Sequence, residues 1–210
     1  MPLEEPKSTD GEAPPQVREV REVTDARTMR ALAHPVRLAL IEALTLEGPL
    51  TATQAGERIG ESATTCSFHL RQLAKYGFVE EAGGGSGRAR PWRMSAQGTR
   101  FSNEHDDPET ALAAGALERL LRERNLDHYR NWLESRGSYP RAWREAAETS
   151  QHLLWLTTDE LRQLNQELLT LLLPRFAERR TDASTRPADA LPVELLMFSY
   201  PRTLPGAEKT

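Results

Sequence analysis

Apolar residues recur at helical spacing between Ser62 and Gly77. Cys66, Leu70 and Leu73 fall on one stripe, which favours an amphipathic helix with that stripe packed against a core. Ser62 is a good N-cap, and Gly77 supplies a left-handed residue after the last turn, so the pattern also predicts where the helix begins and ends. The opposite face is polar.

A shorter helix is predicted immediately before this one. Thr51 and Gln54 have the spacing of a capping box, and Gly60 ends the helix just before the next one begins. Two helices joined by so short a turn are typical of a helix-turn-helix. Strand candidates then follow at residues 78–81 and 91–95 on either side of a glycine-rich tip, which predicts a β-hairpin wing.

The polar face of the second helix carries hydroxyl, amide and cationic side chains that suit DNA. Hydroxyl and amide groups can reach base edges or phosphates, whereas Arg71 and Lys75 suit the phosphate backbone. Phe68 lies off the apolar stripe and either contacts thymine methyl groups or packs against the wing. The wing arginines either meet DNA or belong to a solvated loop. The predicted DNA-contacting residues are Ser62, Thr64, Thr65, Ser67, Phe68, Arg71, Gln72 and Lys75 in the helix, with Arg88 and Arg90 in the wing.

These motifs resemble those of the ArsR-like winged-helix transcriptional regulators. The resemblance is carried by residues 32–38, with the run Leu-Ala-His-Pro-Val-Arg-Leu, by residues 67–73 and by Gly77-Phe-Val79, and it covers residues 24–104. It implies a dimeric regulator that binds a palindromic operator. The paired-cysteine motif of the metal-sensing members is missing, and Cys66 with His69 offers only two ligands, so we expect no metal site and no cofactor.

The rest of the chain predicts a second, α+β domain. Asp107 and Pro108 announce a long helix, Thr157 begins another with a capping box, and residues 152–156 and 192–200 are strand candidates. Residues 95–98 are expected to start a short helix. The predicted fold class is mainly α with small β, a winged helix-turn-helix followed by an α+β domain. The predicted ranges are a disordered or loosely attached tail (1–23), the DNA-binding domain (24–104) and a dimerisation or effector domain (105–210).

Charge is distributed unevenly around an overall value of −4. Residues 25–100 carry 10 basic and 7 acidic side chains, a net charge of +3, whereas residues 101–210 carry 14 and 18, a net charge of −4. The basic part is the predicted DNA-binding part. A single cysteine fits a reducing compartment, and no apolar run approaches the roughly 20 residues that span a bilayer. We therefore expect a cytoplasmic protein without a membrane partner.

Catalysis finds little support, because the sequence lacks a nucleophile elbow, a phosphate-binding glycine loop and a His-Glu-x-x-His motif. The prediction is a non-enzymatic, sequence-specific transcriptional regulator that acts as a homodimer on double-stranded DNA. Two alternatives stay open: a winged-helix protein-interaction module that binds no DNA, and a small-molecule or metal sensor dominated by its C-terminal domain. Whether a small-molecule effector is a further partner is also open.

Overall fold

The computed structural model describes residues 20–83, 90–96, 98–102, 104–175, 179 and 183–203. Its helices are α1 (Ala26–Leu32), α2 (Pro35–Glu47), α3 (Ala52–Ile59), α4 (Ala63–Lys75), α5 (Pro108–Ser135), α6 (Arg141–Ala146) and α7 (Thr158–Arg175). Its strands are β1 (Val20–Val23), β2 (Val79–Glu81), β3 (Trp92–Met94) and β4 (Gly98–Phe101). The prediction of a mainly α chain with small β content and an N-terminal winged helix-turn-helix is confirmed.

The helix ends of the helix-turn-helix follow the predicted signals. Thr51 and Gln54 form the capping box of α3, and Gly60 ends that helix in the left-handed region with φ 74°. Ser62 caps α4, where its Oγ accepts a hydrogen bond of 3.0 Å from the Thr65 N–H. Gly77 has φ 70°, which only glycine adopts without strain. The local sequence therefore determines both helices and the turn between them.

The core lies under α4, which packs against α1, α2, α3 and β2. Its largest fully buried side chains come from five elements and from the turn after α4. They are Val23, Met29, Leu40, Cys66, Leu70, Leu73, Phe78 and Leu117. Burying an apolar side chain of this size contributes about 1.5–3 kcal/mol. Packing of the apolar stripe thus holds α4 in place.

The first half of α5 belongs to this same core. Ala113, Ala114 and Leu117 are buried in it, and α5 packs closely on α1. Arg30 and Glu109 add an exposed ion pair of 2.6 Å between the two helices. The predicted division between residues 104 and 105 therefore falls just before a helix that completes the first core.

Two short sheets flank the helices. β2 and β3 pair antiparallel as the predicted wing, and Leu50 exchanges two backbone hydrogen bonds with Trp92, of 3.0 and 2.8 Å. β1 and β4 form a parallel pair. The prediction of a loose tail is wrong for residues 20–23, because Val23 is buried in the core. The helix expected to start at residues 95–98 is also wrong, because Gly98 begins β4, which pairs with β1.

The strands predicted at residues 152–156 and 192–200 are wrong as well. Both segments are coil, and no strand lies beyond Phe101 in the part of the chain that the structure describes. Their apolar runs suit a strand, but neither segment meets a neighbouring strand with which to form a ladder. The predicted capping box of α7 is present, since the Glu160 carboxylate accepts from the Thr157 N–H at 2.7 Å.

We predict that Leu117→Ala lowers the free energy of unfolding by about 2–5 kcal/mol, because it opens a cavity in the core shared by α5 and the helix-turn-helix. Leu112→Ala is the matched control on the same helix, since Leu112 is 73% exposed, and we expect a change of about 0.5 kcal/mol or less. Urea unfolding measures both. Equal effects of the two variants would contradict a core that includes α5.

Candidate nucleic-acid interface

One face of α4 remains uncovered after the helix has packed. Its buried residues are Cys66, His69, Leu70 and Leu73. Among the predicted contact residues, Ser62, Thr64, Phe68, Arg71 and Lys75 are exposed, and Thr65, Ser67 and Gln72 are partly buried. Phe68 keeps 55% of its surface exposed, so it does not pack into the core. The predicted residues of the helix therefore share one accessible face.

Two pairs of side chains on this face are held by local hydrogen bonds. Arg71 donates from Nη2 to the Ser67 hydroxyl at 2.9 Å and from Nε to the Ser67 carbonyl at 3.1 Å. At the start of the helix, the hydroxyl oxygens of Ser62 and Thr65 lie 2.8 Å apart. Ser67 and Arg71 are thus positioned before any ligand arrives, whereas the Ser62 and Thr65 hydroxyls are engaged in capping.

The turn that aims α4 depends on Gly56, which the sequence reasoning missed. A Cβ added at Gly56 would lie 2.5 Å from the Glu61 backbone oxygen, a distance that real Cβ atoms essentially never adopt. The Glu61 N–H also donates to the Gly56 carbonyl at 3.0 Å. Because Gly56 has no side chain, the turn can close against α3 at this position. A glycine inside an otherwise helical pattern was the available signal.

A histidine pair connects α4 to the junction between α1 and α2. The rings of His34 and His69 lie 4.4 Å apart between centroids, and the Phe68 ring packs edge-on against His69 at 5.1 Å. Burial lowers the pKa of both imidazoles, and the nearby Arg37 guanidinium lowers them further, while Glu61 acts in the opposite direction. The buried Nδ1 of His69 finds no hydrogen-bond partner among the described residues. Burial and nearby positive charge thus both disfavour protonation of the pair, which links α4 to the junction between α1 and α2.

Two arginines of the wing form ion pairs with glutamates. Arg90 donates to Glu81 at 2.7 Å, and Arg93 pairs with Glu80 at 2.8 Å across the two wing strands. The four side chains are between 43% and 62% exposed, so these pairs contribute little to stability. The predicted contact Arg88 lies outside the described residues.

Two further properties concern ligands and membranes. Within the described ranges, His, Cys, Asp and Glu side chains form no group of three that could hold a metal ion. Burial raises the pKa of the Cys66 thiol, which disfavours the thiolate that a metal would need. None of the described helices has the length and hydropathy needed to cross a membrane.

Comparison with known proteins identifies the part of the chain that forms this face. Residues 32–82, from the end of α1 to just beyond β2, match the family described as "Helix-turn-helix domain". They form a helix-turn-helix domain. No curated protein matches the chain.

Several solved structures are distantly similar. A MarR family transcription regulator is 18% identical to this chain. The match covers 76% of this chain and 80% of the regulator, with a TM-score of 0.31. A multiple antibiotic-resistance repressor from Listeria monocytogenes is 12% identical, with coverages of 70% and 81% and a TM-score of 0.28. A transcriptional regulator from Thermotoga maritima is 12% identical, with coverages of 69% and 85% and a TM-score of 0.28.

We predict that Gly56→Ala lowers the free energy of unfolding by about 1–3 kcal/mol, because the new methyl group overlaps the turn backbone. Gly115→Ala is the matched control in α5, where an added Cβ meets nothing within 4 Å. That change should raise stability by about 0.5–1 kcal/mol, since alanine favours a helix interior. Thermal unfolding of both variants checks the prediction, and an unchanged Gly56→Ala variant would show that the turn does not need the close approach.

We also predict that the free energy of unfolding falls as the pH is lowered below about 6.5, the ordinary pKa of both histidines. Their folded pKa values lie lower, so the unfolded chain binds more protons in this window and acid favours unfolding. Above pH 7 this contribution is fully present. Carboxylates with a lowered pKa, such as Asp25, change the free energy of unfolding only around and below pH 3.8, outside the pH range in which the histidines act.

The measurement is urea unfolding from pH 8 to pH 5. His69→Gln should flatten the pH dependence, whereas His152→Gln, at an exposed histidine, should reproduce the parent curve. Parallel curves for the parent and His69→Gln would contradict the prediction.

Proposed function

We propose that the chain is a sequence-specific, DNA-binding transcriptional regulator of the ArsR-like type, which acts as a cytoplasmic homodimer on a two-fold symmetric operator. The single observation that carries the proposal is the accessible face of α4 within a helix-turn-helix domain. This helix is 13 residues long and presents hydroxyl, amide, aromatic and cationic groups together. A major groove admits a helix of this size, and its base edges offer partners for these groups.

The proposed division of labour on α4 follows from position and charge. Ser67, held by Arg71, and Gln72 read base edges, and Phe68 contacts thymine methyl groups. Arg71 and Lys75 hold phosphates, as does Arg90 of the wing. Thr64 contributes a hydroxyl near the start of the helix, where exposed backbone N–H groups also favour a phosphate.

One observation favours the rival function, a winged helix that binds protein rather than DNA. Among the described residues of the wing, Arg90 and Arg93 are already paired with Glu81 and Glu80, which weakens the positive field at these two arginines. A phosphate must displace these carboxylates for the wing to bind DNA. Binding that falls steeply with salt separates the two functions, since only DNA binding releases condensed counterions.

Ser67→Ala and Gln72→Ala should each reduce discrimination between the preferred site and random DNA by about 1–3 kcal/mol, because each removes a base contact. The exposed Thr53→Ala in α3 is the control and should leave discrimination unchanged. Fluorescence anisotropy with competitor DNA measures the difference. If both α4 variants discriminate as well as the parent, this face does not read bases.

Arg90→Ala should weaken binding to every DNA sequence and reduce the slope of log affinity against log salt by about 1, because one phosphate contact is lost. Arg141→Ala is the matched control, since Arg141 is also an exposed arginine paired with a glutamate, at 2.6 Å. Its salt slope should equal that of the parent. An Arg90→Ala slope equal to the parent slope would place this arginine off the DNA.

A further inference from the structure

The part of the second half of the chain that the structure describes has no buried core of its own. No residue that the structure describes after Leu117 is buried. Large apolar side chains instead stand more than half exposed in this half, namely Leu153, Leu154, Trp155, Leu171, Val193, Leu195, Phe198 and Tyr200. An exposed apolar surface of this extent marks an interaction site.

The best-fixed part of this surface is the C-terminal segment, residues 191–203. Glu194 lies 3.4 Å from the Nδ1 atom of His128 in α5, and the Ser199 hydroxyl donates to the side-chain oxygen of Asn165 in α7 at 2.8 Å. Polar contacts thus attach the segment to two helices. Val193 and Phe198, beside these two contacts, remain 75% and 55% exposed. The segment is held with apolar side chains outward.

We propose that a second copy of this chain covers the surface, and that residues 193–200 of the two copies pair antiparallel across a two-fold axis. The inference rests on the proposed function, because an operator with two half-sites needs two heads held about one helical turn of DNA apart. Beyond the proposed homodimer, the inference identifies the surface through which the two copies bind each other.

The exposed apolar side chains of this half together have enough area for a stable dimer. Trp155, Phe198 and Tyr200 are 82%, 55% and 72% exposed. Since an aromatic side chain has roughly 150–250 Å² of surface, these three alone expose roughly 300–500 Å². A stable interface buries about 800 Å² per partner, and the exposed leucines and valine supply the remainder. The interfaces of permanent homodimers are more apolar than those of transient complexes, and this surface is apolar in the same way.

Backbone and charge favour a copy of the same segment as the occupant. Residues 193–200 are coil and make no backbone hydrogen bond among those described, so their N–H and C=O groups are available to a strand. Their sequence, Val-Glu-Leu-Leu-Met-Phe-Ser-Tyr, contains no base and one acid, Glu194, which already faces His128. Two copies therefore meet without like-charge repulsion. Pro192 and Pro201 bound the pairing at both ends.

The test compares two phenylalanines of equal exposure. Phe198 and Phe68 are both 55% exposed, the first on the C-terminal segment and the second on α4. Sedimentation equilibrium of the full-length protein should give a dimer, and Phe198→Ser should raise the dimer Kd at least tenfold. Phe68→Ser should leave the dimer Kd unchanged and weaken DNA binding. Leu195→Asp, which places a charge inside the apolar interface on each copy, should separate the copies more strongly.

Circular dichroism checks that each variant keeps the parent helix content, as expected for side chains exposed within one copy. A parent protein that is monomeric at all concentrations, or a Phe198→Ser variant that dimerises like the parent, would overturn the inference and assign the surface to a different partner. A dimer sensitive to Phe198→Ser that shows no salt-dependent DNA binding supports this surface and contradicts the proposed function instead.

Discussion

The buried stripe of α4 is the contact on which the rest of this molecule depends. Cys66, Leu70 and Leu73 are fully buried against neighbouring helices, so the helix has one orientation about its own axis. That orientation leaves Ser67 and Phe68 accessible. Rotating the helix by one residue, about 100°, would bury polar groups and expose the leucines, at a cost of several kcal/mol. Core packing therefore determines which side chains are presented.

The second half of the chain is connected to this core by two means. α5 contributes Leu117 to the core and continues well beyond it as one 28-residue helix. Glu42 of α2 lies beside both Arg124 and His128 of α5, and His128 in turn faces Glu194. A change at the C-terminal segment thus has a physical route to the helix-turn-helix. A single long helix such as α5 is also suited to hold the helix-turn-helix domains of two copies at a fixed separation.

Local signals were sufficient to predict the helix-turn-helix, because its ends are determined by neighbours in sequence. The capping box at Thr51 and the left-handed glycines at positions 60 and 77 are read directly from three or four residues. The parallel pairing of β1 with β4 joins residues about 80 positions apart, and nothing local in residues 20–23 announces that partner. The closeness of His34 to His69 likewise depends on tertiary packing. The apolar runs at 152–156 and 192–200 led to the wrong prediction of strands, because both segments are coil and largely exposed within one copy.

The most direct test of the account is selection of DNA from a random double-stranded pool by the full-length protein, followed by sequencing of the bound fraction. The account predicts enrichment of a two-fold symmetric site whose half-sites are centred about 10 base pairs apart. It also predicts that the enrichment is lost when Ser67 and Gln72 are both replaced by alanine. A bound fraction with no enriched sequence, or an identical enriched site with both side chains removed, would contradict the assignment of α4 as the element that reads DNA.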